Sequence, residues 1–420
     1  MRHDDSNEGG CGCSRRDFIT RSVSALGFAS FGLPAFLAET NLAMAANAVA
    51  GVEQKYPNRI LVVLELSGGN DGLNTVVPYT NDEYYRLRPT LAVARERVLR
   101  LNDEFGFHPN LLGFERLFKD GQLAVVHGCS YPNPNRSHFE SMKFWHTGVP
   151  NGADTRGWLG RFADEHQPQP VSSYMVNIAK EQSFALKSNI HSPVVFSLPE
   201  RFVREGSEEQ KAVFKEIAKV KATEGNASLD FVRSLATTAE ASSEFIRNAC
   251  AEYRAKADYG YGEVGVDLKR IAAMIAADSP ARIYYTSFGG FDTHVSQAGT
   301  HPGLFNQIGD AVLGFIDDMK VIGRQDDVAM MLFTEFGRRV KENASLGTDH
   351  GVASPMFIAG KHVKGSFYGQ HPSLTDLDEG DLKMTTDFRT VYATMMKEWM
   401  GFDDAGSVLK ADFETLGAFA

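Results

Sequence analysis

The run RILVVLEL (Arg59 to Leu66) is continuously apolar from Ile60 to Leu64, the length of a strand, and SGGNDG closes it. Continuous runs, unlike alternating ones, belong to strands covered on both faces, so a buried central strand is predicted here. PNLLGFERLFKDG follows, with Leu111, Leu112, Phe114, Leu117 and Phe118 on one helical face, and GQLAVVHGCS then repeats the strand pattern. Strand, helix, strand implies a right-handed crossover.

From Pro199 to Tyr261 the pattern changes to charged, helix-forming segments poor in strand signals, which predicts a helical insertion over about 199–261. Alternation then resumes. VDLKRIAAMIAAD places Leu268, Ile271, Met274 and Ile275 at helical spacing before the strand ARIYYTSF. LFNQIGDAVLGFIDDM is an amphipathic helix, DVAMMLFTEFGRR holds the next buried strand, and ASPMFIAG supplies one more. The expected fold class is α/β: a doubly wound, largely parallel central sheet with helices on both faces and a helical insertion.

The amino terminus has a different character. A paired arginine, Arg15-Arg16, precedes an apolar stretch from Val23 to Leu37 and small residues at Ala43 and Ala45, the pattern of a twin-arginine export signal over residues 1–45. Its apolar part is too short and too rich in Gly and Pro for a comfortable membrane span. A periplasmic or secreted protein, passed out by the twin-arginine translocase with no stable span after cleavage, is expected. Uncleaved, the segment would act as a tether.

The chain of 420 residues carries a formal charge of −10 and no basic stripe, which argues against nucleic acid and anionic membrane surfaces as partners. Cys11 and Cys13 leave with the signal; whether Cys129 and Cys250 pair is open at this level.

In a doubly wound sheet, ligands gather outside the carboxyl ends of the strands. The residues just beyond the predicted strands include Asp71, the segment Arg136-Ser137-His138, Asp292 with His294, Glu335, and His350. Each has a plain structural alternative. Asp292 and His294 in SFGGFDTHVSQ fit an Asx-type turn with a surface histidine, Glu335 an ion pair with Arg338 or Arg339, and Ser137 with Glu140 a capping box. Several acids at one edge would repel unless a cation neutralised them. Oxygen donors favour calcium, magnesium or manganese; the histidines bring in zinc, iron or manganese.

Six separated motifs, among them LVVLELSGGNDGLNTVVPY, NPNRSHFESMKFWHTG, SFGGFDTHVSQ and TEFGRRVKENASLGTDHGVASPMFIAGKHVKG, together resemble an exported bacterial family known as domain of unknown function 1501. That family is similar to the alkaline phosphatase and sulfatase superfamily. The resemblance implies a domain over residues 59–402, a linker at 46–58 and a tail at 403–420. It implies a divalent metal (Zn, Ca, Mg or Mn) held by Asp71, Asp292, His294, Glu335 and His350. Ser137 is then the nucleophile, Arg136 a holder of phosphate or sulfate, and His138 an acid or base. A small-molecule or glycan ester is the implied substrate, and a non-catalytic exported binding or assembly protein is the alternative. Two departures from the superfamily pattern stand out: Phe336 follows Glu335 where a histidine ligand is usual, and Asp292 and His294 are closer than usual.

Overall fold

The computed structural model describes residues 54–203 and 227–420, with residues 207, 209, 210, 212, 213 and 216 between them. The export signal, most of the linker and part of the insertion lie outside the described residues. Two units are distinguished, one holding the described residues of 203–243 and the other residues 54–202 with 244–420. The second holds the sheet and every candidate site residue.

Among the described residues, a nine-stranded sheet forms from β1 (Ile60–Leu66), β2 (Leu123–Ser130), β3 (Met175–Ile178), β4 (Val194–Phe196), β5 (Ile283–Phe288), β6 (Val328–Phe333), β7 (Ser354–Ala359), β8 (Phe367–Tyr368) and β9 (Thr386–Asp387). The strand order is β8-β2-β7-β6-β1-β5-β3-β4, with β9 also on β2. β1 lies between β5 and β6, parallel to both, and β3 and β4 continue in parallel. β7 alone runs antiparallel, between β6 and β2. The expected strands are all present. The pattern gave no sign of β3 and β4, which are too short for a period to show.

Both faces of β1 are buried, as its unbroken apolar run requires. Ile60, Val62, Leu64 and Leu66 pack with α1 (Leu112–Lys119), α4 (Glu263–Ala276) and α5 (Gln297–Val321); Leu61 and Val63 face Trp145, Trp158 and Phe162 in a second core. Trp145 belongs to α2 (His138–Thr147), and α3 (Ala227–Glu252) is the described helix of the insertion. On α1 the apolar face is narrower than expected: Phe114 and Leu117 are buried, but Leu112 is exposed. Residues 403–420 do not hang free as a tail, because a helix at Ala405–Leu409 and the buried Ala418 and Phe419 join the second core. Cys129 and Cys250 are both free thiols. No described helix is long and apolar enough to cross a membrane.

Candidate metal centre

β1 ends in a glycine turn whose geometry admits no side chain. Gly68 has φ +118°, and a Cβ there would lie 2.5 Å from the backbone nitrogen of Asp292. This close approach brings the loop after β1 onto the loop after β5. Arg338, fully buried, fastens them: its guanidinium donates to the carbonyls of Gly69 (2.6 Å), Thr348 (2.9 Å), Phe291 (3.1 Å) and Gly68, and to Asp292 Oδ1 (2.7 Å). Arg338 therefore pairs with Asp292, not with Glu335. A bidentate, permanently charged side chain suits a buried hub of five acceptors.

Around Asp292 stand three imidazoles. His350 Nε2 is 3.2 Å and His294 Nε2 3.0 Å from Asp292 Oδ1, and the two Nε2 atoms are 2.9 Å apart. His138 Nε2 lies 3.6 Å from Asp292 Oδ2 and is buried with no hydrogen-bond partner. Each ring has its other nitrogen against an acceptor: His138 Nδ1 meets Glu335 Oε1 at 2.7 Å, His350 Nδ1 the Arg136 carbonyl at 2.8 Å, and His294 Nδ1 Asp349 Oδ1 at 3.4 Å. Those acceptors favour the tautomer with a proton on Nδ1, which turns three Nε2 lone pairs toward one carboxylate.

Electrostatics reinforce the arrangement. Burial would raise the Asp292 pKa, but the hydrogen bond from Arg338 and the charge of that guanidinium outweigh it and bring it down to about 2, so the carboxylate is ionised. Burial lowers the pKa of His350, which favours the neutral imidazole with a free lone pair. The hydrogen bond to Glu335 raises that of His138, so at its Nε2 a cation would compete with a proton.

Donor atoms of His138, Asp292 and His350 all lie within 4.8 Å of one another. Nitrogen and oxygen ligands at ~2.0–2.1 Å from a tetrahedral ion sit roughly 3.3 Å apart, close to the spacings seen for Asp292, His294 and His350. Arg338 already neutralises Asp292, but two Nε2 atoms 2.9 Å apart still call for a proton or a cation between them. The residues thus fit a divalent cation, and mixed nitrogen and oxygen donors suit zinc or manganese better than calcium or magnesium.

The remaining expected residues are placed differently. Glu335 is buried and accepts from the Gly68 amide (2.9 Å), the Thr334 hydroxyl (3.0 Å) and His138, so its carboxylate is engaged by these donors and orients the His138 ring. Asp71 is turned to a separate cation: its Oδ2 accepts from Arg88 (2.6 Å) and Gln297 (2.5 Å). Burial works against ionisation of Asp71, but Arg88 prevails and lowers its pKa. Ser137 is exposed at the start of α2 and forms no capping box; its amide donates to Asn135 Oδ1 (2.8 Å), and its side chain makes no capping bond. The Arg136 guanidinium pairs with Asp381, so only its carbonyl reaches the histidines.

α2 carries His138 and is fixed at both ends. Ser141 donates to the Glu335 carbonyl (2.6 Å), and His146 Nε2 meets Glu65 Oε2 at 2.8 Å. Phe336 packs against His138 and His350 with ring centroids 4.9 and 4.7 Å away, a carbon wall beside the two imidazoles.

Sequence reading missed Arg88 and Gln297, and it gave Arg338 the wrong partner. Nothing local marks Arg88 in YYRLRPT. Gln297 closes the SFGGFDTHVSQ motif, and its Oε1 accepts from Thr293 (2.9 Å) and Thr348 (2.7 Å), tying Asp71 to the loops that carry the histidines.

An open, largely parallel α/β sheet with imidazoles and a carboxylate at its carboxyl edge defines a doubly wound protein with a candidate metal site. The chain belongs to the family described as protein of unknown function (DUF1501), which it matches over residues 58–412. No curated protein matches the sequence. Among solved structures, the lipoteichoic acid synthase LtaP from Listeria monocytogenes is similar at 9% identity, covering 83% of this chain and 80% of that one, with a TM-score of 0.35. The C-terminal periplasmic domain of EcEptC from Escherichia coli, in complex with Zn, gives 10%, 74%, 75% and 0.36 in the same order. A protein in the alkaline phosphatase superfamily from Vibrio parahaemolyticus gives 9%, 82%, 73% and 0.33. Likeness of this degree leaves reaction and ligand open.

Proposed function

We propose that this protein is an exported, metal-dependent hydrolase of phosphate or sulfate esters. The observation that carries the reading is the set of three imidazoles, each held through Nδ1, with their Nε2 atoms gathered around the ionised Asp292. His138, Asp292 and His350 would hold one ion, with His294 beside them; Glu335, Asp349 and the Arg136 carbonyl orient the rings. A bound divalent ion would supply Lewis acidity to a phosphoryl or sulfuryl oxygen.

The chain's own groups do the rest. Ser137, exposed at the amino end of α2, offers a hydroxyl as nucleophile where backbone amides and the helix dipole favour an anionic oxygen. Arg338 keeps Asp292 ionised and holds its loop against the glycine turn. Arg136 can reach an incoming anion only by leaving Asp381.

The test is metal analysis of the natively exported protein, then turnover of aryl phosphates and aryl sulfates by wild type and Asp292→Asn. Bound metal and ester cleavage, both lost in the variant, support the reading. Metal without cleavage of any ester would instead favour an exported binding protein that kept the centre and lost the reaction.

A further inference from the structure

The segment that joins β2 to α2 has no regular structure, yet it delivers two parts of the centre. Residues 132–136 take no place in a helix or strand, the Arg136 carbonyl meets His350 Nδ1, and His138 opens α2 directly afterwards. Such a segment must be held in register with Glu335, which arrives from the end of β6. Tyr131, buried just beyond β2, is placed to do this.

One chain of hydrogen bonds runs through its hydroxyl. The Asn135 amide donates to Tyr131 Oη (2.9 Å), Tyr131 Oη lies 2.9 Å from Ser141 Oγ, and Ser141 Oγ lies 2.6 Å from the Glu335 carbonyl oxygen. The carbonyl can only accept, so the Ser141 proton goes to it; Ser141 Oγ then accepts the Tyr131 proton, and the phenol oxygen takes the Asn135 amide. Every proton is assigned, and all point toward Glu335. Hydrogen bonds aligned in this way strengthen one another, and removing a central one deprives both neighbours of a partner. Burial pushes the Tyr131 pKa up, so the phenol keeps the proton it donates. Both ends of the chain reach the imidazoles: Asn135 Oδ1 accepts from the Ser137 amide (2.8 Å), next to the Arg136 carbonyl that meets His350, and Glu335 Oε1 meets His138 Nδ1 (2.7 Å).

From this we infer that Tyr131 is a positioning residue of the candidate metal centre, whose hydroxyl sets the loop presenting the Arg136 carbonyl to His350 against the helical turn presenting His138. It touches neither ion nor substrate and acts through Asn135, Ser141 and Glu335. The inference rests on the metal-binding part of the proposed function and not on its ester chemistry.

The experiment is competition for zinc between a chromogenic chelator and the full-length protein, with visible spectra of the Co(II)-loaded form and thermal unfolding of the metal-free form alongside. Tyr131→Phe keeps the ring against Phe144 and Phe388, at centroid distances of 5.7 and 6.0 Å, and removes only the hydroxyl. Its zinc affinity is expected to fall about fivefold or more, short of the ~10- to 100-fold that a direct partner of a ligand is worth. Its Co(II) bands should shift, a sign of altered ligand geometry that lost stability alone does not give. Ser141→Ala cuts the same chain one link on; it should lose as much, and the double variant no more than the worse single one. It also carries the test if Tyr131→Phe does not fold. Tyr174→Phe removes another buried hydroxyl, one that meets His166 Nδ1 at 2.8 Å, and should bind zinc as wild type does. Wild-type affinity or unshifted Co(II) bands in a folded chain variant, failure of both to fold, an equal loss in Tyr174→Phe, or a wild type that binds no metal overturns the inference. Metal held in this way without turnover of any ester would sink the hydrolase reading alone; turnover with a zinc affinity that Tyr131→Phe leaves unchanged would sink this inference alone.

Discussion

Arg88 Nη1 lies 2.6 Å from Asp71 Oδ2, with neither side chain exposed to solvent. The pair accounts for a fully buried aspartate at the end of β1: a guanidinium from seventeen residues downstream neutralises it. Arg88 also donates to Asn74 Oδ1 and to the carbonyls of Val340 and Arg339.

Arg88→Met leaves the Asp71 carboxylate buried without its partner. A loss of about 3–5 kcal/mol in unfolding free energy is expected, measured by denaturant titration. Asp71→Asn should also destabilise while leaving metal content at the wild-type value by elemental analysis. Loss of metal in Asp71→Asn at intact fold would place Asp71 back among the ligands.

Glu335→Gln keeps the shape next to His138 but removes the charge that orients its ring. Metal affinity, read by competition with a chromogenic chelator, should fall about 10- to 100-fold. His350→Ala, which removes a donor itself, should weaken binding further.

Ser137→Ala tests the nucleophile apart from the centre. Metal content should not change, while kcat on a cleaved aryl ester falls by about 10³-fold or more. A variant as active as wild type would transfer the nucleophile's role to water.

Gly68→Ala puts a methyl group where the Asp292 backbone already is, at a left-handed φ. A stability loss of more than about 2 kcal/mol is expected together with weakened metal binding, because the same turn holds Glu335 through the Gly68 amide. Thermal unfolding with and without added zinc separates the two effects.

His127, which contacts none of the candidate ligands, gives a separate pH dependence. Burial, with the neighbouring His371, lowers its pKa to about 3, and the rings around it are Phe105, Phe367 and His371. A folded-state pKa below the unfolded one means that the unfolded chain takes up the proton first as pH falls. Stability from this source is complete above pH ~6.5 and declines below it, by up to ~3 kcal/mol at pH ~4. His127→Phe should flatten the acid limb of a plot of unfolding free energy against pH.

The strands of the sheet's centre were legible because each holds an uninterrupted apolar run between turn signals, as in ILVVL and MMLF. β3 and β4, with four and three residues, carry too little pattern to stand out. The candidate site was legible as a set of residue types at strand ends, and Asp292, His294, His350 and His138 do meet. Ser137 with Glu140 fitted a capping box by spacing, yet Asn135 reached the Ser137 amide instead, a choice between near neighbours that spacing does not make.

The order of apolar and polar residues thus determined by itself the α/β class, the buried central strand and the edge where chemistry collects, because burial on both faces and carboxyl-end loops follow from local pattern. Tertiary structure alone decided which ionic groups neutralise one another. Arg88 took Asp71, Arg338 took Asp292 and Glu335 took His138. Charges separated by tens to hundreds of residues pair only where packing excludes water between them, and a linear sequence holds no record of that distance.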